Sequence, residues 1–137
     1  YVAGSQAPVN VQWGHDNRTT GLRVPDSAPG ARRVENRLAG ADANPYLAMA
    51  ASLAAGLAGM QGGCEPTQPL ADNGYDSERQ LPRTFDAALA QMALSAHAPK
   101  LLGNDFVRGY LAVKQLELDH YLAEVTAWER RFLLPQV

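Results

Sequence analysis

A single cysteine, Cys64, stands in the whole chain, so no disulfide can form within it. A reducing compartment, the cytoplasm, is therefore the simpler expectation. Long hydrophobic runs are missing too. The one extended uncharged run, Tyr46 to Met60, falls short of the ~20 residues a membrane-spanning helix needs, and alanine and glycine dominate it over leucine. The three histidines, His15, His97 and His120, form no i, i+4 pair and have no pair of cysteines beside them, which argues against a zinc site. Neither a G-x-x-x-x-G-K-[ST] loop nor a strand-linked G-x-G-x-x-G occurs, no serine triad suggests itself, and no 20–50-residue repeat is apparent. Overall charge of one sign is also absent: 12 basic against 14 acidic side chains in 137 residues leaves no general pull toward nucleic acid or an anionic membrane.

What is present is a local concentration of arginine. Residues 1–40 hold Arg18, Arg23, Arg32, Arg33 and Arg37 against Asp16, Asp26 and Glu35, a net of +2, so the remaining residues carry −4. Arginine without lysine favours a forked grip on planar or tetrahedral oxyanions over a diffuse attraction. In the segment Arg32–Leu38, a β-strand puts Arg33, Glu35 and Arg37 on one face at roughly 6.5–7 Å spacing, reading cation, anion, cation. Two readings fit that row. It is a solvated edge strand whose charges discourage pairing, or an anion site in which Arg33 and Arg37 grip phosphate or carboxylate while Glu35 holds a divalent cation.

The pattern along the chain predicts an α+β segment: short antiparallel strands in residues 1–40, then three or four helices. Val9–Trp13 alternates as a half-buried strand, Arg18–Val24 reads as a second strand stopped by Pro25, and the turn-rich residues 25–30 lead to the Arg32–Leu38 strand. A hairpin of the last two brings Arg18 and Arg23 near Arg33 and Arg37, four arginines about one carboxylate. Asn44 and Pro45 start a helix over 44–62 that ends at Gly62-Gly63 and, having no charge, is expected to be buried. Residues 63–83 read as a long loop containing Tyr75, and 84–137 as helical. Thr84 caps a helix with Phe85, Ala88, Leu89 and Met92 on one face, and a longer helix from Asp105 to about Trp128 carries the stripe Val107, Leu111, Leu118, Leu122, Val125.

Three blocks carry a resemblance: Asn17-Arg18-Thr19-Thr20-Gly21-Leu22-Arg23-Val24-Pro25, Ala31-Arg32-Arg33-Val34-Glu35-Asn36-Arg37, and Ala43-Asn44-Pro45-Tyr46-Leu47-Ala48. In order and spacing they resemble the C-terminal part of the glutamine synthetase catalytic domain, and Asp16–Thr20 with Val34–Arg37 look most like its γ-glutamylpolyamine synthetase branch. The resemblance implies an ATP-dependent carbon–nitrogen ligase that phosphorylates the side-chain carboxylate of glutamate and lets an amine, ammonia or a polyamine, displace the phosphate. It implies that Glu35 is a ligand of Mg²⁺ or Mn²⁺, that Arg37 holds glutamate, that Arg18 stabilises the transferring phosphoryl group, and that Arg23 and Arg33 bind ATP phosphates. It also implies a cytoplasmic enzyme, an oligomer of identical chains when full length, with no nucleic-acid or membrane partner.

Where the family writes G-x-E-A-P in its flap, this chain has Gly4-Ser5-Gln6-Ala7-Pro8. The neutral Gln6 cannot accept a proton from bound ammonium, which leaves room for a larger amine. Tyr75 sits where some bacterial members carry an adenylylated tyrosine, in a poorly matching context. The family's β-grasp domain, its further metal carboxylates and another substrate arginine are expected upstream of Tyr1, and one metal carboxylate is too few, so these 137 residues alone are expected to be inactive. The alternative is a non-catalytic anion-binding or assembly module that keeps the fold.

Overall fold

The computed structural model describes residues 7–78 and 81–136. It divides into two compact units, Tyr1–Arg83 and Thr84–Val137. The first contains a three-stranded sheet in the order β1 (Trp13–His15), β2 (Leu22–Val24), β3 (Glu35–Asn36). β2 and β3 pair antiparallel, with Arg23 opposite Glu35 and Leu22 opposite Asn36, the hairpin expected from the turn-rich link. β1 runs parallel to β2, Gly14 beside Arg23 and His15 beside Val24, whereas the sequence suggested antiparallel strands throughout. Parallel pairing works here because the strands are only three residues long. The chain has to return ~10 Å, which the connecting residues 16–21 can span.

All three strands are shorter than their alternation suggests, and the cause is the same each time: a short polar side chain takes over a neighbouring backbone group. Asn10 Oδ1 accepts from the Gln12 N–H at 3.1 Å, turning the chain before β1. Asn17 Oδ1 accepts from the Thr19 N–H at 3.0 Å, and the Thr20 hydroxyl reaches the Asn17 carbonyl at 2.9 Å and that of Leu22 at 2.8 Å, so residues 17–20 are a turn, not the start of a strand. Asn36 Oδ1 accepts from the Leu38 N–H at 2.9 Å, just where β3 ends.

Beneath the sheet lies a polar knot. Asn10 and Thr20 are fully enclosed. Asn10 Nδ2 donates to the Thr19 and Gly74 carbonyls at 3.1 and 2.9 Å. The Gly74 N–H donates to Thr19 Oγ1 at 2.7 Å, and Asn17 Nδ2 donates to the Leu70 and Asp72 carbonyls at 3.0 and 2.9 Å. The long 63–83 loop is thereby stitched to the 16–21 turn. Glycine is required at two of these crossings: a Cβ on Gly21 would stand 2.5 Å from the Asn10 carbonyl oxygen, and one on Gly74 2.5 Å from that of Thr19.

Helix α1 (Pro45–Gln61) starts as its sequence predicts, with Asn44 Oδ1 accepting from the Tyr46 and Leu47 N–H groups at 3.0 and 3.3 Å and Pro45 in the first turn. Its burial differs from the expectation. None of its residues is buried, and Tyr46, Met49, Leu53, Leu57 and Met60 are all open. A helix without charge is free to be buried, but burial needs a covering layer, and the described residues of this unit supply none.

In the second unit α2 (Phe85–Leu94), α3 (Ala98–Leu102), α4 (Asn104–Ala123) and α5 (Ala127–Phe132) follow in order. Thr84 Oγ1 caps α2 as predicted, and α4 packs on α2 and α3. Among the described residues of this unit Leu89 on α2 and Val107 and Leu118 on α4 are the buried apolar side chains, so the expected stripe holds over its first part, Val107 to Leu118, while Leu122 and Val125 stay exposed. The long helix ends at Ala123, earlier than the apolar spacing suggests, because Thr126 and Glu129 form a capping box: the Thr126 N–H donates to Glu129 Oε2 at 2.7 Å and the Glu129 N–H to Thr126 Oγ1 at 3.1 Å. Among the described residues no helix is long and apolar enough to cross a membrane.

Candidate functional site

The antiparallel register places Arg23 directly across from Glu35, and opposite charges at such a position attract. Arg23 Nη1 donates to Glu35 Oε2 at 2.8 Å. From the other side Arg33 Nη2 donates to Glu35 Oε1 at 3.2 Å. Both oxygens of the carboxylate are thus held by guanidiniums, one each. Arg23 is in turn held twice, since its Nη2 donates to Asp16 Oδ1 at 2.5 Å. The side chain of Arg23 is only 16% exposed, against 54% for Arg33, so the first is set into the surface and the second faces solvent while holding Glu35.

Charge follows from these contacts. The Arg23 hydrogen bond, opposed by partial desolvation and helped by the Arg23 and Arg33 charges, holds the Glu35 carboxyl below the ordinary carboxylate range. Glu35 likewise raises Arg23 above its usual value, with Asp16 adding to the effect. The four groups sum to zero charge, but their donors are not exhausted: the enclosed Arg23 Nε has no hydrogen-bond partner among the described residues. An open cleft of about 780 Å³ adjoins the cluster, lined by His15, Asp16, Asp26, Ser27, Arg32 and Arg33 among others.

The other residues singled out in the sequence are placed differently. Arg18 lies exposed in the 17–20 turn, with no ion pair among the described residues. It falls outside β2 and so outside the register that brings Arg23 to Glu35. Arg37 is half-buried just past β3, where its N–H donates to the Gly21 carbonyl at 2.9 Å. Two arginines, not four, therefore meet at Glu35. Gln6 lies outside the described residues. Tyr75 is half-buried, and its hydroxyl is enclosed without a hydrogen-bond partner among the described residues. Asp16 was not among the residues singled out. Its signal, an acid one residue past a strand, is too common to be read without the parallel register.

The donor set fits a polyphosphate better than a metal ion. Arg32 and Arg33 line the open cleft and present guanidinium donors suited to phosphate oxygens, with Arg23 set behind them and held by Glu35 and Asp16. For a divalent cation the two carboxylates of the cluster, Glu35 and Asp16, are both engaged by guanidiniums, and among the described residues no group of three His, Cys, Asp or Glu is arranged to hold a metal. These residues alone do not make a metal centre.

With that geometry in hand, comparison with known proteins is specific. A family model for the glutamine synthetase catalytic domain matches residues 1–133. The chain is 42% identical over 132 residues to the γ-glutamylethanolamide synthetase of Streptomyces coelicolor, covering 96% of this chain and 28% of that protein. It is 40% identical over 132 residues to the glutamate–isopropylamine ligase of a Pseudomonas species, covering 93% and 29%. A glutamine synthetase of Staphylococcus epidermidis is 34% identical over 144 residues, covering 98% and 32%. A solved structure, apo GmaS without ligand, superposes with a TM-score of 0.77 at 33% identity, covering 95% of this chain and 31% of that one. The chain thus spans under a third of the length of these relatives.

Proposed function

This chain belongs to the glutamine synthetase family, matching its catalytic domain over residues 1–133, and on that premise we propose that it is the C-terminal catalytic segment of an ATP-dependent glutamate–amine ligase. In the reaction a γ-carboxylate oxygen of glutamate takes the γ-phosphoryl group of ATP and releases ADP. The amine nitrogen then attacks the acyl carbon, the C–O bond to phosphate breaks, and the nitrogen gives up a proton. The observation that carries the reading is the meeting of Arg23 and Arg33 on Glu35 inside the matched segment.

Transfer of a phosphoryl group needs charge neutralised around it and donors held in place beforehand. Arg23 and Arg33 suit the ATP phosphates, Arg18, unpaired in its turn, suits the transferring group, and Arg37 suits the glutamate carboxylate. Glu35 enters as one ligand contributed to a Mg²⁺ or Mn²⁺ ion, the others coming from outside these residues. Held as it is by two guanidiniums, it also keeps those guanidiniums apart and oriented. With a single engaged carboxylate to offer, the 137 residues alone are inactive and act within a longer, oligomeric, cytoplasmic chain.

The acceptor is an organic amine larger than ammonia. Support comes from Gln6 in place of an acidic flap residue, and from two relatives named for organic amines, ethanolamide and isopropylamine, at 42% and 40% identity. The test is ADP release by the complete protein with glutamate and a panel running from ammonia through ethanolamine and isopropylamine to diamines. Faster release with an organic amine than with ammonia is expected, and preference for ammonia overturns the acceptor assignment.

A second reading, a non-catalytic anion-binding module, is favoured by one observation: both Glu35 oxygens are already engaged and no metal cluster exists among the described residues. No ADP release with any amine, together with retained phosphate binding, would select it.

A further inference from the structure

Arginine and glutamate left to themselves form a forked pair, two parallel N–H···O bonds using both carboxylate oxygens. Arg23 and Glu35 do not. Arg23 gives Glu35 only Nη1, and only Oε2 receives it, because Nη2 is drawn away to Asp16. Oε1 is thereby left for Arg33. We propose that Asp16 is a positioning residue: by holding one nitrogen of Arg23 it stops that arginine from forking onto Glu35, and so keeps a place on the same carboxylate for Arg33.

The backbone is built to put Asp16 there. Parallel pairing sets Gly14 beside Arg23 and His15 beside Val24, so the residue after His15 arrives at the end of β2, within reach back to Arg23. Asp16 then takes a left-handed conformation, φ 47°, while its N–H donates to the Val24 carbonyl at 3.0 Å. That turn is one aspartate tolerates better than most residues, and it folds the side chain back over β2. Asp16 is 51% exposed and is no part of the apolar core. The inference rests on the reading that Arg23 and Arg33 together receive phosphate, since a forked Arg23–Glu35 pair would release Arg33 to solvent and leave one ordered cation where the site has two.

The experiment compares Asp16→Asn, which keeps an acceptor oxygen and accepts the left-handed turn, with Asp16→Gly, which accepts the turn but has no acceptor. Arginine side-chain NMR of the 137-residue chain needs no ligand. In the wild type, Arg23 should show separately resolved, slowly rotating Nη groups and Arg33 restricted ones. Asp16→Asn should keep this pattern, and Asp16→Gly should lose the restriction at Arg33. Inorganic triphosphate is the binding probe. Removing a negative charge alone should tighten binding equally in both variants, whereas loss of the Arg33 place should make Asp16→Gly at least about fivefold weaker than Asp16→Asn, roughly the 1 kcal/mol of one hydrogen bond.

Arg33 signals and triphosphate affinities that are the same in the two variants overturn the proposal. Should Asp16→Gly disturb the β1–β2 amides, the wild-type spectrum decides: freely averaged Nη signals for Arg23 are contrary to it. Failure of the wild-type chain to bind triphosphate counts against the phosphate reading, and the arginine spectra then judge Asp16 by themselves.

Discussion

Replacing Asn10 with alanine should cost the first unit much of its stability, although Asn10 touches no arginine of the site. Its side chain is fully enclosed and satisfies four backbone groups: the Thr19 and Gly74 carbonyls at 3.1 and 2.9 Å, and the N–H groups of Gln12 and Gly21 at 3.1 and 3.4 Å. Alanine leaves all four without that partner, two of them, the Gly74 carbonyl and the Gly21 N–H, at buried contacts. Each typical bond contributes about 1 kcal/mol net, and a buried group left unsatisfied costs about 1–3 kcal/mol. Counting the three shorter bonds and some relaxation, the loss is about 3–5 kcal/mol, a large share of the ~5–15 kcal/mol of a typical domain. The assay is urea denaturation followed by Trp13 fluorescence in a Trp128→Phe background, with circular dichroism to follow the helices. A loss below about 1 kcal/mol at unchanged urea dependence would refute the idea that this buried amide ties the 63–83 loop to the 16–21 turn.

Other outcomes follow from the same geometry. Leu118→Ala, at a position only 7% exposed, should destabilise the helical unit by about 2–5 kcal/mol, read from its thermal or urea transition. Because Arg23 holds the Glu35 carboxyl below its ordinary value, the stabilisation from that pair should be fully present above the unfolded carboxylate pKa, ~4.3, and be lost as pH falls through the lower folded value. A ¹³C titration of Glu35 with a midpoint at or above ~4.3 would contradict the pairing. Arg37→Ala in the complete protein should raise the glutamate concentration needed for half-maximal ADP release by more than about tenfold while leaving the ATP requirement nearly unchanged. An equal rise in both would remove Arg37 from the glutamate site.

The legible parts of this chain are those decided by neighbours in sequence. Asn44-Pro45 and Thr84 start helices where they stand because capping is settled within one turn. The hairpin was legible because a turn-rich link between two charged strands leaves little choice, but which arginines it gathers was not, since four were expected at Glu35 and Arg23 and Arg33 meet there. Strand lengths were not legible. Alternation marks Val9–Trp13 and Arg18–Val24 as strands, but Asn10, Asn17 and Thr20 spend their side chains on nearby backbone, and nothing in the period-two pattern announces that. For the same reason Asn10 and Thr20, polar and unremarkable in sequence, become the most deeply enclosed side chains of their unit. Asp16 reaches Arg23 only through a parallel register, which is set by the path of the whole turn. The early end of α4 has a signal in the T-x-x-E of Thr126–Glu129, which a reading of the apolar stripe alone passes over. Burial of α1 is a property of what packs against it, and no pattern inside the helix contains that information.

The most direct measurement is glutamate-dependent ADP release by the complete ligase carrying this segment, wild type against Glu35→Ala. If Arg23, Arg33 and Glu35 form part of the phosphoryl-transfer site, the variant should lose about a hundredfold to a thousandfold in turnover, the scale of removing one preorganised group from such a site, with its fold intact by circular dichroism. Turnover within about twofold of wild type would contradict the account.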